Sequence, residues 1–323
     1  MKIYITAPFW KENLESLKRD FQVEYASWFQ TGKILEGQEL ADVLNEERAE
    51  IFVTEEDIIS EEVLALVPGL KMVCVCRGTP SNVDMQAAGK HQIVVANTPG
   101  RNAVGVAELV IGMMIAVSRR MREGDHLIRT HQWKEDYYFH SFGEELEGKS
   151  CGFIGFGAVA RETAFRLKNF GMKLYAYDPY ISSEEAAKLG VELINDPGYL
   201  MECSDYVSNH LPVTEQTVGM INGSMIRRMK PNAYFINTAR AKTLNEAEVL
   251  KELKDGRIAG AAFDVYGQEP LPQDSPYLEL PNVILLPHIG GSTTNAIRKH
   301  SVMAEESIRS FAEHRKVIHR VDR

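Results

Sequence analysis

The stretch Gly152-Phe153-Ile154-Gly155-Phe156-Gly157-Ala158-Val159-Ala160 closes an apolar strand pattern that starts at Ser150 and opens a helical one. In such a turn Gly155 permits the tight bend, and Gly157 lets the backbone approach a pyrophosphate seated on the helix N-terminus. Ala160 stands where a third glycine often does, a position that asks only for close helix–sheet packing. Tyr175-Ala176-Tyr177 ends the next strand pattern at Asp178, 23 positions after Gly155. A carboxylate there would bond the ribose hydroxyls of an adenosine. Pro179 and Tyr180 follow it, with no lysine or arginine to receive a 2′-phosphate. The pattern predicts a dinucleotide-binding unit that prefers NAD to NADP.

Around this turn, short β-branched and aromatic runs alternate with helical patterns from end to end, the mark of an α/β chain with parallel sheets. The first series of strand patterns lies at 2–6, 22–26, 50–54, 71–76 and 92–96. The second lies at 150–154, 172–177, 205–208, 232–236, 258–265 and 283–286. A helix from about 294 to 313 closes the chain and is expected to return to the N-terminal part. The expected fold is therefore two doubly wound parallel-sheet domains. One is discontinuous, residues 1–102 plus 293–323, and the other, residues 103–292, is a nucleotide domain inserted into it.

Bulk properties exclude other classes. A net charge of −9 argues against a nucleic-acid-binding surface, which needs a basic excess. The longest apolar run, 103–117, is broken by Glu108 and is too short to span a bilayer. Cys74, Cys76, Cys151 and Cys203, with no secretion signal, read as reduced thiols of a cytoplasmic protein. Neither these nor His126, His131 and His140 have metal-ligand spacing, so no metal is expected.

Three polar residues stand just past apolar strand patterns: Arg240 in Asn237-Thr238-Ala239-Arg240, Glu269 before Pro270, and His288 in Leu286-Pro287-His288-Ile289-Gly290-Gly291. A cation, a carboxylate and an imidazole are what acid–base chemistry on a small carboxylate needs. With Asn97-Thr98-Pro99, Val106-Ala107-Glu108, His210-Leu211-Pro212 through Thr217, and Lys230-Pro231, these phrases run over nearly the whole chain. The chain resembles the D-isomer-specific 2-hydroxyacid dehydrogenase family, and within it the phosphoglycerate dehydrogenase-like members. The chain ends soon after the closing helix, so a C-terminal regulatory domain is not expected.

The resemblance implies a Rossmann NAD-binding domain inserted into a flavodoxin-like substrate domain. It implies Arg240 as clamp on the substrate carboxylate, His288 as general acid/base and Glu269 as its orienting partner. It implies cofactor contacts from Gly155, Phe156, Gly157, Ala158, Val159, Asp178, Pro179, His210, Leu211, Pro212, Thr217, Thr238, Ala239 and Asp264. It also implies a homodimer built partly from the segment 118–147, and a small 2-hydroxy or 2-oxo acid as the partner molecule. The alternative reading is an NAD-sensing, corepressor-like binding protein without physiological turnover.

The chain departs from the family pattern in the loop that would bind the substrate carboxylate. Where glycines are usual it reads Arg77-Gly78-Thr79-Pro80, so Gly78 and Thr79 offer amides and Pro80 does not. Arg77 and Arg101 are expected to bring positive charge for a second anionic or heavily hydroxylated end of the substrate, unless they form structural ion pairs. Ala241 replaces the usual glycine after Arg240.

Overall fold

A computed structural model describes residues 1–321. The chain forms two compact units, Met1–Asn102 with the residues from Thr293 onward, and Ala103–Ser292. In the first unit β1 (Lys2–Ile5), β2 (Gln22–Tyr25), β3 (Ile51–Thr54), β4 (Met72–Val75) and β5 (Val94–Asn97) form a parallel sheet in the order β2-β1-β3-β4-β5. This is the flavodoxin-like order. Every residue of β3 and β4 is buried, as strands covered on both faces must be. Alternation sends Phe52 and Val73 into one apolar layer with Leu40, Leu44 and Val63. Ile51 and Val53 enter the other, with Leu17, Ala304 and Ile308.

Three further ties hold this unit. Asp57, fully buried after β3, accepts from Leu35 N and Thr54 Oγ1 (both 2.7 Å) and from Thr6 Oγ1. The open edge of β5 is covered by the end of the chain: Asn97 N donates to His319 O (3.1 Å) and Val321 N to Val95 O (2.9 Å). Such cover removes an edge that could pair with another chain. The closing helix, Thr294–Ala312, packs on the helix Lys11–Asp20.

The second unit has seven parallel strands: β6 (Ser150–Ile154), β7 (Lys173–Tyr177), β8 (Glu192–Leu193), β9 (Tyr206–Asn209), β10 (Tyr234–Asn237), β11 (Gly260–Phe263) and β12 (Val283–Leu285). Their order is β12-β11-β10-β9-β6-β7-β8. The two-residue β8 was invisible as a strand pattern because it is too short to show alternation. The pattern at 258–265 yields only four paired residues. The helix Ala103–Ser118 buries nine of its residues and packs on the helix Ala158–Leu167 and on β10 to β12. No helix among the described residues is long and apolar enough to cross a membrane. All four cysteines are free; burial pushes the Cys74 thiol up to about 12 and Cys76 well above its ordinary value, so neither ionises readily.

The contact between the closing helix and its partner centres on Glu305, which accepts from Ser16 Oγ (2.6 Å), Asn13 Nδ2 (2.7 Å) and Arg309 Nε (2.8 Å). Burial works to raise the Glu305 pKa, but these hydrogen bonds outweigh it and the carboxyl sits below its ordinary range. A carboxyl with a lowered folded pKa contributes stability above its unfolded pKa and loses it as pH falls through the folded value. Glu305→Ala is expected to destabilise the protein by about 2 kcal/mol at pH 7 in urea unfolding. The difference from wild type should shrink below about pH 4. An equal difference at pH 7 and pH 3 would contradict the clamp.

Candidate active site

Because β6 to β12 are all parallel, their carboxyl ends share one edge of the sheet. The order reverses between β6 and β9, and the carboxyl end of such a switch point is where doubly wound sheets bind ligands. The glycine loop follows β6 and the His210 loop follows β9. Gly155 has φ +84°, and a Cβ there would lie 2.9 Å from the His210 carbonyl carbon and oxygen. Gly157 has open space where its Cβ would stand. No side chain caps the helix beginning at Ala158, which leaves its first amides free. A cradle of free amides beneath open space fits a pyrophosphate.

Asp178, just past β7, accepts from Phe156 N (2.8 Å) and Tyr180 N (2.9 Å). It therefore shapes the glycine loop and still has lone pairs for ribose hydroxyls. On the other side of the switch point, His210 bonds Ser208 Oγ through Nε2 (2.9 Å), and burial pushes its pKa down to about 3. Leu211 N donates to Asn209 Oδ1 (3.2 Å), and Thr217 Oγ1 to Pro212 O (2.6 Å), closing the loop. Thr217, expected to touch cofactor, uses its hydroxyl to fold that loop.

The three candidate groups follow the next three strands. Arg240 follows β10 and is exposed; it donates to Ala239 O (2.7 Å), and no carboxylate pairs with it among the described residues. Its loop is set by a buried network: Asn209 Nδ2 donates to Asn237 Oδ1 (3.0 Å) and Thr243 Oγ1 (2.8 Å), and Thr243 Oγ1 donates to Arg240 O (2.7 Å). Asn237 Nδ2 and Thr238 Oγ1 are buried with no partner among the described residues. Orphaned polar atoms on a ligand-binding edge also fit a bound nucleotide, because a buried donor left unpaired is costly.

Glu269 and His288 are brought together. Glu269 Oε1 accepts from Tyr266 N (2.9 Å), and Oε2 bonds His288 Nδ1 at 2.6 Å. The carboxylate places the proton on Nδ1 and leaves Nε2, on a half-exposed ring, unbonded among the described residues. His288 has φ +53°, a left-handed backbone that a non-glycine residue adopts at some cost. Asp264 holds it there. Its carboxylate is buried and accepts from Ile289 N and Gly290 N, both at 2.8 Å. Tyr266 adds a tie from its hydroxyl to Leu286 O (2.8 Å). Sequence reasoning gave Asp264 to the cofactor and overlooked Tyr266, since their partners lie about twenty residues away. A buried acid just past a strand gives no hint of which amides it serves.

In the first unit, the amides of Gly78 and Thr79 have no partner among the described residues, whereas Gly78 O accepts from Asn97 Nδ2 (2.6 Å). Arg77 and Arg101, expected to bring positive charge, are both paired, Arg77 with Glu56 and Arg101 with Glu55.

The sequence profile of the D-isomer specific 2-hydroxyacid dehydrogenase NAD binding domain matches residues 111–290. The chain belongs to that family. It is thus an NAD-dependent oxidoreductase of 2-hydroxy acids, and Ala103–Ser292 contains its NAD-binding fold. Among its relatives is YoaD of Bacillus subtilis, a 2-hydroxyacid dehydrogenase by name, 38% identical over 96% of this chain and 91% of that protein. The D-3-phosphoglycerate dehydrogenase of Methanocaldococcus jannaschii is 33% identical over 96% of this chain, which spans only 57% of that longer relative. The crystal structure of the TT0316 protein from Thermus thermophilus superposes with a TM-score of 0.87 at 28% identity, covering 99% of this chain and 100% of that one.

The two loop glycines of this dehydrogenase should separate by experiment. Gly155→Ala meets backbone and a positive φ, so it is expected to lower the melting temperature by several degrees. Gly157→Ala fills only open space, so it should melt within about 2 °C of wild type yet weaken NADH binding about tenfold or more in a fluorescence titration. Unchanged NADH affinity in Gly157→Ala would remove the pyrophosphate from this cradle.

Proposed function

We propose that the enzyme moves a hydride between NAD(H) and C2 of a small D-2-hydroxy acid or 2-oxo acid, with Arg240, Glu269 and His288 as its chemical groups. The observation that carries this is the Glu269–His288 pair, its imidazole half-exposed, on the same sheet edge as an arginine with no carboxylate partner among the described residues. NADH bound at the glycine loop supplies the hydride. In reduction His288 gives a proton from Nε2 to the C2 oxygen; in oxidation it takes one back. Glu269 holds the ring and balances the imidazolium charge. Arg240, whose planar fork matches adjacent oxygens, binds the substrate carboxylate and the C2 oxygen and stabilises the latter as it becomes alkoxide-like.

The unbonded amides of Gly78 and Thr79 support a role for the first unit in carboxylate binding, and that unit is accordingly proposed as the substrate domain. Asp178 and the absence of a basic neighbour after it support NAD over NADP, because its carboxylate repels a 2′-phosphate. The remaining expected cofactor contacts, Pro179, Pro212 and Ala239 among them, lie on loops at this edge. Four free cysteines support a reducing compartment, the cytoplasm.

The test is turnover of a panel of 2-oxo acids with NADH and with NADPH: glyoxylate, hydroxypyruvate, phosphohydroxypyruvate and sugar-derived 2-oxo acids. His288→Ala is expected to lower kcat by about 10²–10⁴ while NADH affinity holds. Arg240→Lys should raise KM and lower kcat together, because an ammonium cannot span two oxygens. Absence of turnover on every acid, with NADH still bound, would leave the sensing reading in place.

A homodimer is proposed on a separate observation. Trp133, Tyr138 and Phe142 are 68%, 80% and 79% exposed on one segment after the helix Met121–Arg129. Exposed aromatic side chains recurring along one short segment are what an interface uses. Light scattering should give twice the chain mass for wild type, and a monomer for the double variant Trp133→Glu, Phe142→Glu. A monomeric wild type would refute it.

A further inference from the structure

The first sheet reverses its order between β1 and β3, so its ligand-binding crevice is expected at the carboxyl ends of those strands. Pro8 follows β1, and the consecutive Glu55 and Glu56 follow β3. Each glutamate takes one of the two arginines of the proposed substrate loops: Glu55 pairs with Arg101 and Glu56 with Arg77. The Arg101–Glu55 pair is nearly enclosed, its side chains 13% and 11% exposed. Burial raises the Glu55 pKa, and Arg101 draws it back part of the way.

A third group completes the cluster. His300, fully buried on the closing helix, bonds Pro8 O through Nε2 (2.7 Å) and Arg101 Nη1 through Nδ1 (2.9 Å). A carbonyl only accepts and a guanidinium only donates, so Nε2 carries the proton and the ring is neutral. Burial agrees, pressing its pKa down to about 4. The cluster therefore holds two cations, two carboxylates and one neutral imidazole. Its ion pairs and hydrogen bonds include no further lysine or arginine among the described residues. Arg298, which has no carboxylate partner among the described residues, lies over the Trp10 ring, about 200° round the closing helix from His300.

We propose that the substrate's end remote from its carboxylate is an uncharged polyhydroxylated chain, as in sugar-derived 2-oxo acids, and not a phosphate. This rests on the dehydrogenase reading and on the loop after β4 receiving substrate. A phosphate is an acceptor only and doubly negative; beside Arg77 and Arg101 it would also meet Glu56 and Glu55, which repel it and already hold one nitrogen of each guanidinium. A hydroxyl both donates and accepts, so it can bond the carboxylate and guanidinium of the accessible Arg77–Glu56 pair without disturbing it. Glu56, a third exposed beside an equally accessible Arg77, is the specificity residue.

The experiment compares kcat/KM with NADH for glyoxylate, phosphohydroxypyruvate and 2-oxogluconate, in wild type and in Glu56→Gln. The wild type is expected to favour 2-oxogluconate over phosphohydroxypyruvate by about tenfold or more, since a site built for hydroxyls discriminates through its polar groups. Glu56→Gln frees Arg77 and should shift that ratio several-fold toward the phosphorylated acid. A wild type that prefers phosphohydroxypyruvate would overturn the inference, as would a Glu56→Gln variant in which both acids change by the same factor. In either case glyoxylate turnover shows that the dehydrogenase reading survives. Failure with all three acids, glyoxylate included, would bring down that reading and this inference together.

Discussion

The parallel pairing of β9 through β12 is the constraint on which the chemistry depends. Parallel strands end together, so three segments far apart in the chain leave the sheet on one edge carrying Arg240, Glu269 and His288. The register Asn209↔Asn237↔Phe263↔Leu285 puts the last paired residues of all four strands in one row. A one-residue slip in any of them would exchange the residues of its two buried faces and shift its candidate group along the edge. Strands this deeply buried make such a slip expensive, which is how ordinary burial comes to hold these three groups on one edge.

Buried polar groups supply what the sheet cannot. Loops have no ladder to fix them, and here side chains take over that work. Asp264 gathers the two amides after His288 and allows that residue a left-handed backbone. Asn209, Asn237 and Thr243 do the same for the turn bearing Arg240. Each is enclosed, where a hydrogen bond is strong and an unpaired group costly, so the loops have one favoured shape. Asn237 Nδ2 and Thr238 Oγ1, orphaned among the described residues, mark where that satisfaction stops short, at the carboxyl end of β10.

Much of this was legible in the sequence, for reasons that differ by residue. Gly155, Gly157 and Asp178 form a local phrase whose spacing carries its own geometry. The strands of both sheets announce themselves by β-branched and aromatic runs, and β8 escapes because two residues cannot show a period. Arg240, Glu269 and His288 are visible because each stands just past such a run. What was not legible is the pairing that depends on the folded sheet. Glu55 and Arg101 lie 46 positions apart and Glu56 and Arg77 21. Sequence order does not say which acids they would join, so of the two readings it left open for these arginines, extra positive charge or structural ion pairs, the fold shows the second. The Asp264 carboxylate, Asp57 among its hydroxyls, and the chain end along β5 were hidden in the same way.

The central claim is hydride transfer to C2 with the proton added on the His288 side, and isotopic product analysis addresses it directly. NADH deuterated at the transferable position of C4 would be incubated with the enzyme and a turned-over 2-oxo acid of at least three carbons. The account predicts one deuterium at C2 of the product 2-hydroxy acid, in the D configuration. An L product, or a product with no deuterium at C2, would contradict it.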